Sequence, residues 1–232
     1  MGHVRQIGVI TGLAAEAHVL RRAVRLERLE DLIVIAACGG DKERIEELAK
    51  TFTEHGADTL LSIGLAGALS GDLKTSSFVV PRKILFEGGP EFQTDPALGA
   101  LITQGLEPEM AVDGDLLCVA SEVASGDEKQ RLGAATGAVA VDMESGHLAR
   151  AADEIGVAFA AWRIILDEAG DSLPPSTLGL MRPDGTSDST KLLKNLFKRP
   201  ADLPPLVGLL VDAISALNRL SRVARQVFRQ FF

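Results

Sequence analysis

Short apolar, often β-branched runs alternate along the chain with longer segments in which apolar residues recur every three or four positions. The runs lie at 6–11, 32–37, 59–63, 77–81, 116–120, 138–141 and 158–166, and the helical patterns at 14–26, 41–55, 128–134 and 144–155. Runs of four to nine residues fit strands, whereas the i, i+3, i+4 recurrence fits one face of a helix. Two of the helical segments end on glycine, at His55-Gly56 and Ile155-Gly156, and a new apolar run follows each. Strand and helix in alternation predict an α/β fold, a single domain with a central mixed sheet or barrel flanked by helices. In such folds ligands collect where loops leave the carboxyl ends of strands, and Glu16, Leu65, Glu144 and Asp167 stand at or just beyond such ends.

Two stretches break the alternation. Residues 168–190, EAGDSLPPSTLGLMRPDGTSDST, hold Pro, Gly, Ser and Asp without periodicity and predict a long loop, a candidate lid. From 206 to 232, Leu206, Leu210, Ala213, Leu217, Leu220, Ala224, Val227 and Phe231 recur at alternating spacings of four and three, forming one apolar stripe on a helix. Arg219, Arg222, Arg225 and Arg229 fall on the opposite face, and no acidic residue follows Asp212. That basic amphipathic pattern suits a helix lying on a membrane surface, and equally a packing helix whose arginines complement its C-terminal dipole.

Composition narrows the classes. Acidic residues outnumber basic ones 32 to 24, a balance unsuited to nucleic acid as partner, which demands a positive field. Cys38 and Cys118 stand alone in apolar surroundings, outside any CxxC or Cys/His set, which predicts a reducing compartment without disulfides or structural zinc. The N-terminus lacks a basic segment followed by a long apolar core, so it is expected to be mature sequence and the protein cytoplasmic. The longest chargeless stretch, 59–71, falls short of the roughly 20 residues of a transmembrane helix, and none is expected.

Candidate chemistry begins with carboxylates. Glu16 and Glu144 each open a helix, where an acidic side chain is also favoured simply by the helix dipole. Asp167 ends the run FAAWRIIL, and Arg163 lies within that run, where a charge needs a partner. IGLAGALSG and ACGGDKER match neither GxGxxG nor the Walker pattern, and are expected to be tight turns that bring backbone near a ligand. There is no GxSxG, and His3, His18, His55 and His147 lack metal-ligand spacing, so neither a serine hydrolase nor a zinc hydrolase is supported.

The ordered set IGVITGLAAEA, SIGLAGAL with FVVP, AVDMESGHLA and WRIILDEAGD resembles the purine nucleoside phosphorylase and methylthioadenosine/S-adenosylhomocysteine nucleosidase superfamily over nearly all of 6–171, most closely its hopanoid-associated phosphorylases. The resemblance implies a nucleoside phosphorylase-like domain over 1–200, with 201–232 as the amphipathic helix, and an enzyme that cleaves the N-glycosidic bond of an adenosine derivative such as adenosylhopane. It implies that Glu144 holds the ribose hydroxyls while Met143 packs on the sugar, that Asp167 protonates the purine at N7, and that Glu16 activates water with Arg163 at the same water or phosphate subsite. Gly64 and Leu65 line the substrate site by the same match, which calls for no metal and no cofactor. A homodimer follows from the resemblance alone. In this chain Leu65 and Leu166 replace family serines, and the usual aromatic beside the base has no match around 121–125, which implies a roomier, greasier site. An acidic Glu16 repels a phosphate dianion and favours water. Phosphorolysis, a soluble substrate such as methylthioadenosine, and a nucleoside-binding module without chemistry stay open as alternatives, as does peripheral membrane contact through the C-terminal helix.

Overall fold

The computed structural model describes residues 6–104, 106 and 111–232; residues 1–5, with His3 and the start of the N-terminal reading, lie outside the described residues. The first half of the chain runs β1 (Ile7–Thr11), α1 (Ala14–Glu27), β2 (Ile33–Ala37), α2 (Lys42–Glu54), β3 (Thr59–Ala68), β4 (Phe78–Val80), β5 (Lys83–Phe86), β6 (Glu91–Gln93) and α3 (Pro96–Gln104). The second half runs β7 (Ala111–Asp113), β8 (Leu116–Cys118), α4 (Gly126–Thr136), β9 (Ala140–Asp142), α5 (Ser145–Ile155), β10 (Ala158–Asp167), α6 (Ser189–Lys198) and α7 (Leu203–Phe228).

The strands join in one mixed sheet, in the order β6-β5-β8-β9-β3-β10-β4-β7, with β1 and β2 branching from β3. Its spine is the parallel pair of ten-residue strands β3 and β10. The first half of β3 pairs with β1, and its last two residues pair with β9, so one long strand serves two parts of the sheet. Alternation along β10 divides the core. Ala160, Trp162 and Ile164 face α1 and α7, where Trp162 meets Phe78 and Phe228, while Ala161 and Ile165 face the cluster holding Ile45 and Ala49 of α2 and Leu148 and Ala152 of α5. Truncating Trp162 to Ala would cost about 3–5 kcal/mol.

Two expectations change here. The stretch IGLAGA is a continuation of β3 to Ala68, because backbone pairing with β10 and β9 outweighs two glycines that read as turn signals. ACGGDKER does turn, with φ of +65° at Gly39 and +71° at Gly40, yet the backbone that closes on Gly39 is that of Arg182 in the 168–190 loop.

The C-terminal helix also departs from its pattern. Residues Pro200–Phe228 are, by length and composition, enough to cross a membrane, which a search for chargeless runs misses because Asp202 and Asp212 interrupt the segment. The last half of α7 is nevertheless core: Ala216, Leu220, Ala224, Val227 and Phe228 are fully buried. The first half leaves Leu203, Val207, Leu210 and Ile214 more than half exposed. Part of the arginine face is engaged, since Arg225 and Arg229 both pair with Glu27 of α1 and hold its carboxyl below the usual range.

Candidate active site

Five acidic residues, Glu16, Glu122, Asp142, Glu144 and Asp167, line one pocket at the carboxyl ends of β1, β3, β9 and β10. Met143 and Leu65 line it with them. The remaining wall is mostly apolar and includes Val119, Val123, Leu166, Leu173 and Met181. Among the described residues, the lining contains no lysine or arginine.

Glu16 sits in the first turn of α1 and turns back to the sheet. Its Oε2 accepts from the Leu13 backbone N–H at 2.8 Å and its Oε1 from the Leu65 N–H at 2.7 Å. This approach requires Gly64: a Cβ there would lie 2.9 Å from Glu16 Oε1. Gly64 thus makes room for the carboxylate rather than lining the pocket, while the Leu65 side chain does line it. Burial pushes the Glu16 carboxyl above its ordinary value, against the two N–H groups and Arg163, which hold it down.

Glu144, at the start of α5, faces Gly12, where a Cβ would lie 2.6 Å from its Oε1. It accepts one long bond, 3.4 Å from the Met143 N–H, which leaves carboxylate capacity for two hydroxyl donors. Burial first, and the charge of Asp142 second, push it up to about 8, with Arg163 opposing.

Asp142 also borders the pocket, but its oxygens are taken up within the protein. Its Oδ1 accepts from Ser145 Oγ at 2.7 Å and its Oδ2 from the Ser145 N–H at 3.2 Å, and it forms a buried ion pair with Arg163. Arg163 is 1% exposed and donates to the Ser62 carbonyl (2.7 Å), the Trp162 carbonyl (2.9 Å) and Ser62 Oγ (2.7 Å), while its Nε has no partner. Burial opposes its charge, but Asp142, Glu144 and Glu16 more than offset this and raise its pKa. The guanidinium therefore lies beneath the pocket floor, outside the lining where the sequence resemblance put it.

Asp167 ends β10 just past an irregularity in the β3 pairing between Ile165 and Asp167, which sets it opposite Gly67. Such a bulge re-aims a side chain. Gly64, beside Glu16, and Gly67, beside Asp167, lie three residue steps apart on extended β3, about 10 Å along the strand. The sequence reading missed the group on which Asp167 rests. Lys129 of α4, 1% exposed, forms an ion pair with it and donates to the carbonyls of Glu168 (3.0 Å) and Asp171 (2.9 Å). Burial raises the Asp167 carboxyl, and the Lys129 ammonium works against that rise. The signal was in the helix: Gly126, Lys129 and Leu132 share its inward face at spacings of three.

The 168–190 loop covers the pocket with Leu173 and Met181 and is tied down along its length. Leu173 N–H donates to the Ala124 carbonyl (2.8 Å), Gly179 N–H to Glu122 (2.8 Å), and the Gly185 carbonyl accepts from Ala14 N–H (2.8 Å). Cys38 and Cys118 are buried free thiols whose pKa values burial raises, so neither is a nucleophile.

A mixed sheet with acid-bearing strand ends around a largely apolar pocket is the arrangement of an α/β enzyme, in which ligands bind where loops leave the strands. Residues 6–198 match the profile described as the phosphorylase superfamily, and the chain belongs to that family. No curated protein matches the chain. Among solved structures it is similar to the 5'-methylthioadenosine/S-adenosylhomocysteine nucleosidase of S. pneumoniae with a transition-state inhibitor (16% identity, 98% of this chain and 100% of that one, TM-score 0.70). It is also similar to the S-adenosylhomocysteine nucleosidase of Streptococcus pyogenes with 5-methylthiotubericidin (19%, 98% and 97%, TM-score 0.67) and to the futalosine hydrolase of Helicobacter pylori (19%, 71% and 88%, TM-score 0.61). At these identities the likeness is one of fold.

Proposed function

We propose that the protein hydrolyses the N-glycosidic bond of an adenosine derivative, releasing adenine, and that its substrate is adenosylhopane. The observation that carries hydrolysis is Glu16, a carboxylate held by two backbone N–H groups in a pocket whose described lining has no lysine or arginine to receive a phosphate dianion. Glu144 accepts the ribose hydroxyls, and two such donors favour its ionised form. Protonated Asp167 gives its proton to purine N7 as the C1'–N9 bond breaks, so adenine leaves neutral. Glu16 takes a proton from the water whose oxygen bonds to C1'. Burial raises the Glu16 carboxyl above its ordinary value, which makes it a stronger base than an exposed glutamate.

Leu65 and Leu166 in the lining, with Leu173 and Met181 above, favour a greasy 5' substituent. The test is base release from adenosylhopane and from methylthioadenosine, with and without phosphate, in detergent, with the sugar product identified by mass. Free ribosyl product without phosphate, and preference for the lipid-linked nucleoside, is the expected result. Strict phosphate dependence with a ribosyl 1-phosphate product would overturn it.

A further inference from the structure

The helix between the pocket cover and the packed tail is built unlike the rest of the molecule. No residue of α6 is buried; Phe197 is 89% and Leu193 65% exposed, four residues apart and so on one face. From 189 to 201 the chain carries Lys191, Lys194, Lys198 and Arg199 and no acidic residue, in a protein of net charge −8. Lys194, Lys198 and Arg199 enter no ion pair among the described residues. Directly after the turn at 200–202, Leu203, Val207, Leu210 and Ile214 recur at spacings of four, three and four along one exposed face of α7. An exposed apolar surface of this extent marks an interaction site.

We propose that α6 and the first half of α7 form a docking surface for an anionic lipid bilayer, with Phe197 and Leu193 entering the interface and Lys194, Lys198 and Arg199 against the headgroups. Exposed aromatic and aliphatic side chains among unpaired cations fit that occupant, because apolar burial and headgroup attraction act together. A second copy fits poorly. A two-fold contact through α6 sets the same cations against each other. A membrane crossing is ruled out by the last half of α7, which is fixed in the core. The basic face of the tail offers less free charge, since two of its four arginines, Arg225 and Arg229, are engaged by Glu27.

The surface adjoins the pocket cover. Asn195 of α6 donates to the Ser176 carbonyl at 3.0 Å, Lys191 to the Gly179 carbonyl at 2.6 Å, and the Ser176 N–H donates to Asp202 at 2.8 Å. Ser176 and Gly179 belong to the loop that places Leu173 and Met181 over the pocket, so bilayer contact lies next to the entrance that a lipid-linked nucleoside would use. The choice of a bilayer as occupant rests in part on the substrate reading above.

Co-sedimentation of the full chain with vesicles of phosphatidylcholine, alone or mixed with phosphatidylglycerol, tests the surface without any substrate. The chain should sediment with the anionic vesicles, several-fold less with the neutral ones, and less at high salt. Leu193→Ser with Phe197→Glu, and separately Lys194→Glu with Lys198→Glu, should each reduce sedimentation at least about tenfold. Arg222→Gln, on the packed half of α7, should leave it unchanged. No sedimentation of the native chain, equal binding to both vesicles, unchanged binding in the α6 variants, or a dimer that Phe197→Glu dissociates would each overturn the proposal. Base release from methylthioadenosine in the same preparations separates the two readings. Turnover without vesicle binding sinks the surface alone; vesicle binding without turnover of any nucleoside sinks the enzyme reading alone.

Discussion

The two ends of the pocket manage buried negative charge differently. At the sugar end, Glu16 and Glu144 touch no cation; backbone N–H groups hold Glu16, and the counter-charge Arg163 lies a layer below, gripped by Asp142 and Ser62. At the base end, Asp167 meets the Lys129 ammonium directly. A carboxylate that must accept a proton or hold hydroxyls keeps its lone pairs free when its counter-charge stands off. A carboxyl that must lose a proton is served by a cation in contact, because the ammonium stabilises the anion left behind. Under the roles proposed above, the difference in distance matches a difference in function.

The largest effect should come from removing the acid. Asp167→Asn keeps the shape but cannot donate a carboxyl proton to N7, and base release should fall about 10³-fold with little change in KM. Loss confined to KM would show that Asp167 only binds the base. Next is the buried counter-charge. Arg163→Met leaves Asp142 in the interior without its counter-charge and should lower unfolding free energy by about 3–5 kcal/mol in a urea titration. Adding Asp142→Asn should recover part of that loss; no recovery would mean the guanidinium matters through Ser62 and the Trp162 carbonyl instead.

Periodicity made most of this fold legible, and it failed where length or context decides. All seven apolar runs form strands, but β5, β6 and β7, of three or four residues, are too short to show a period and exist through pairing with β4, β8 and each other. The candidate carboxylates were legible because each follows a strand. Lys129 was not, since a lysine on a helix reads as solvated until the helix is known to turn that face inward. Nor did the sequence show that Asp142 and Arg163, 21 residues apart, answer each other's charge. The tail misled in the opposite direction: an amphipathic stripe drawn over 26 residues implies one environment, whereas α7 has a buried half and an exposed half.

A smaller effect probes the sugar end through pH. Glu144 is raised to about 8 in the fold against an ordinary 4.5, so the native state holds its proton over a range where the unfolded chain does not. That contribution to stability is complete below the unfolded value and is lost as pH rises through about 8. Burial raises Glu16 and Asp167 too, and they add in the same sense. Melting temperature should therefore fall between about pH 5 and pH 9, and fall less steeply in Glu144→Gln. Equal slopes in the two proteins would mean that Glu144 is ionised in the fold at neutral pH.

The smallest and most diagnostic change is at Lys129. In the mechanism proposed above Asp167 must hold a proton, so the rate should fall as pH rises past the pKa of that carboxyl. Lys129 holds the value down against burial. Lys129→Met should therefore move the alkaline limb of kcat upward, while the loss of the tether lowers the plateau about tenfold. Lys129→Arg should return the limb close to its native position, because it restores the charge even if the carbonyl contacts to Glu168 and Asp171 are imperfect. A lysine with a merely structural role would reduce the fraction of active enzyme and leave the limb where it was. A limb that moves down would reverse the assignment, making the ionised carboxylate the working form and Lys129 the proton source at the base end.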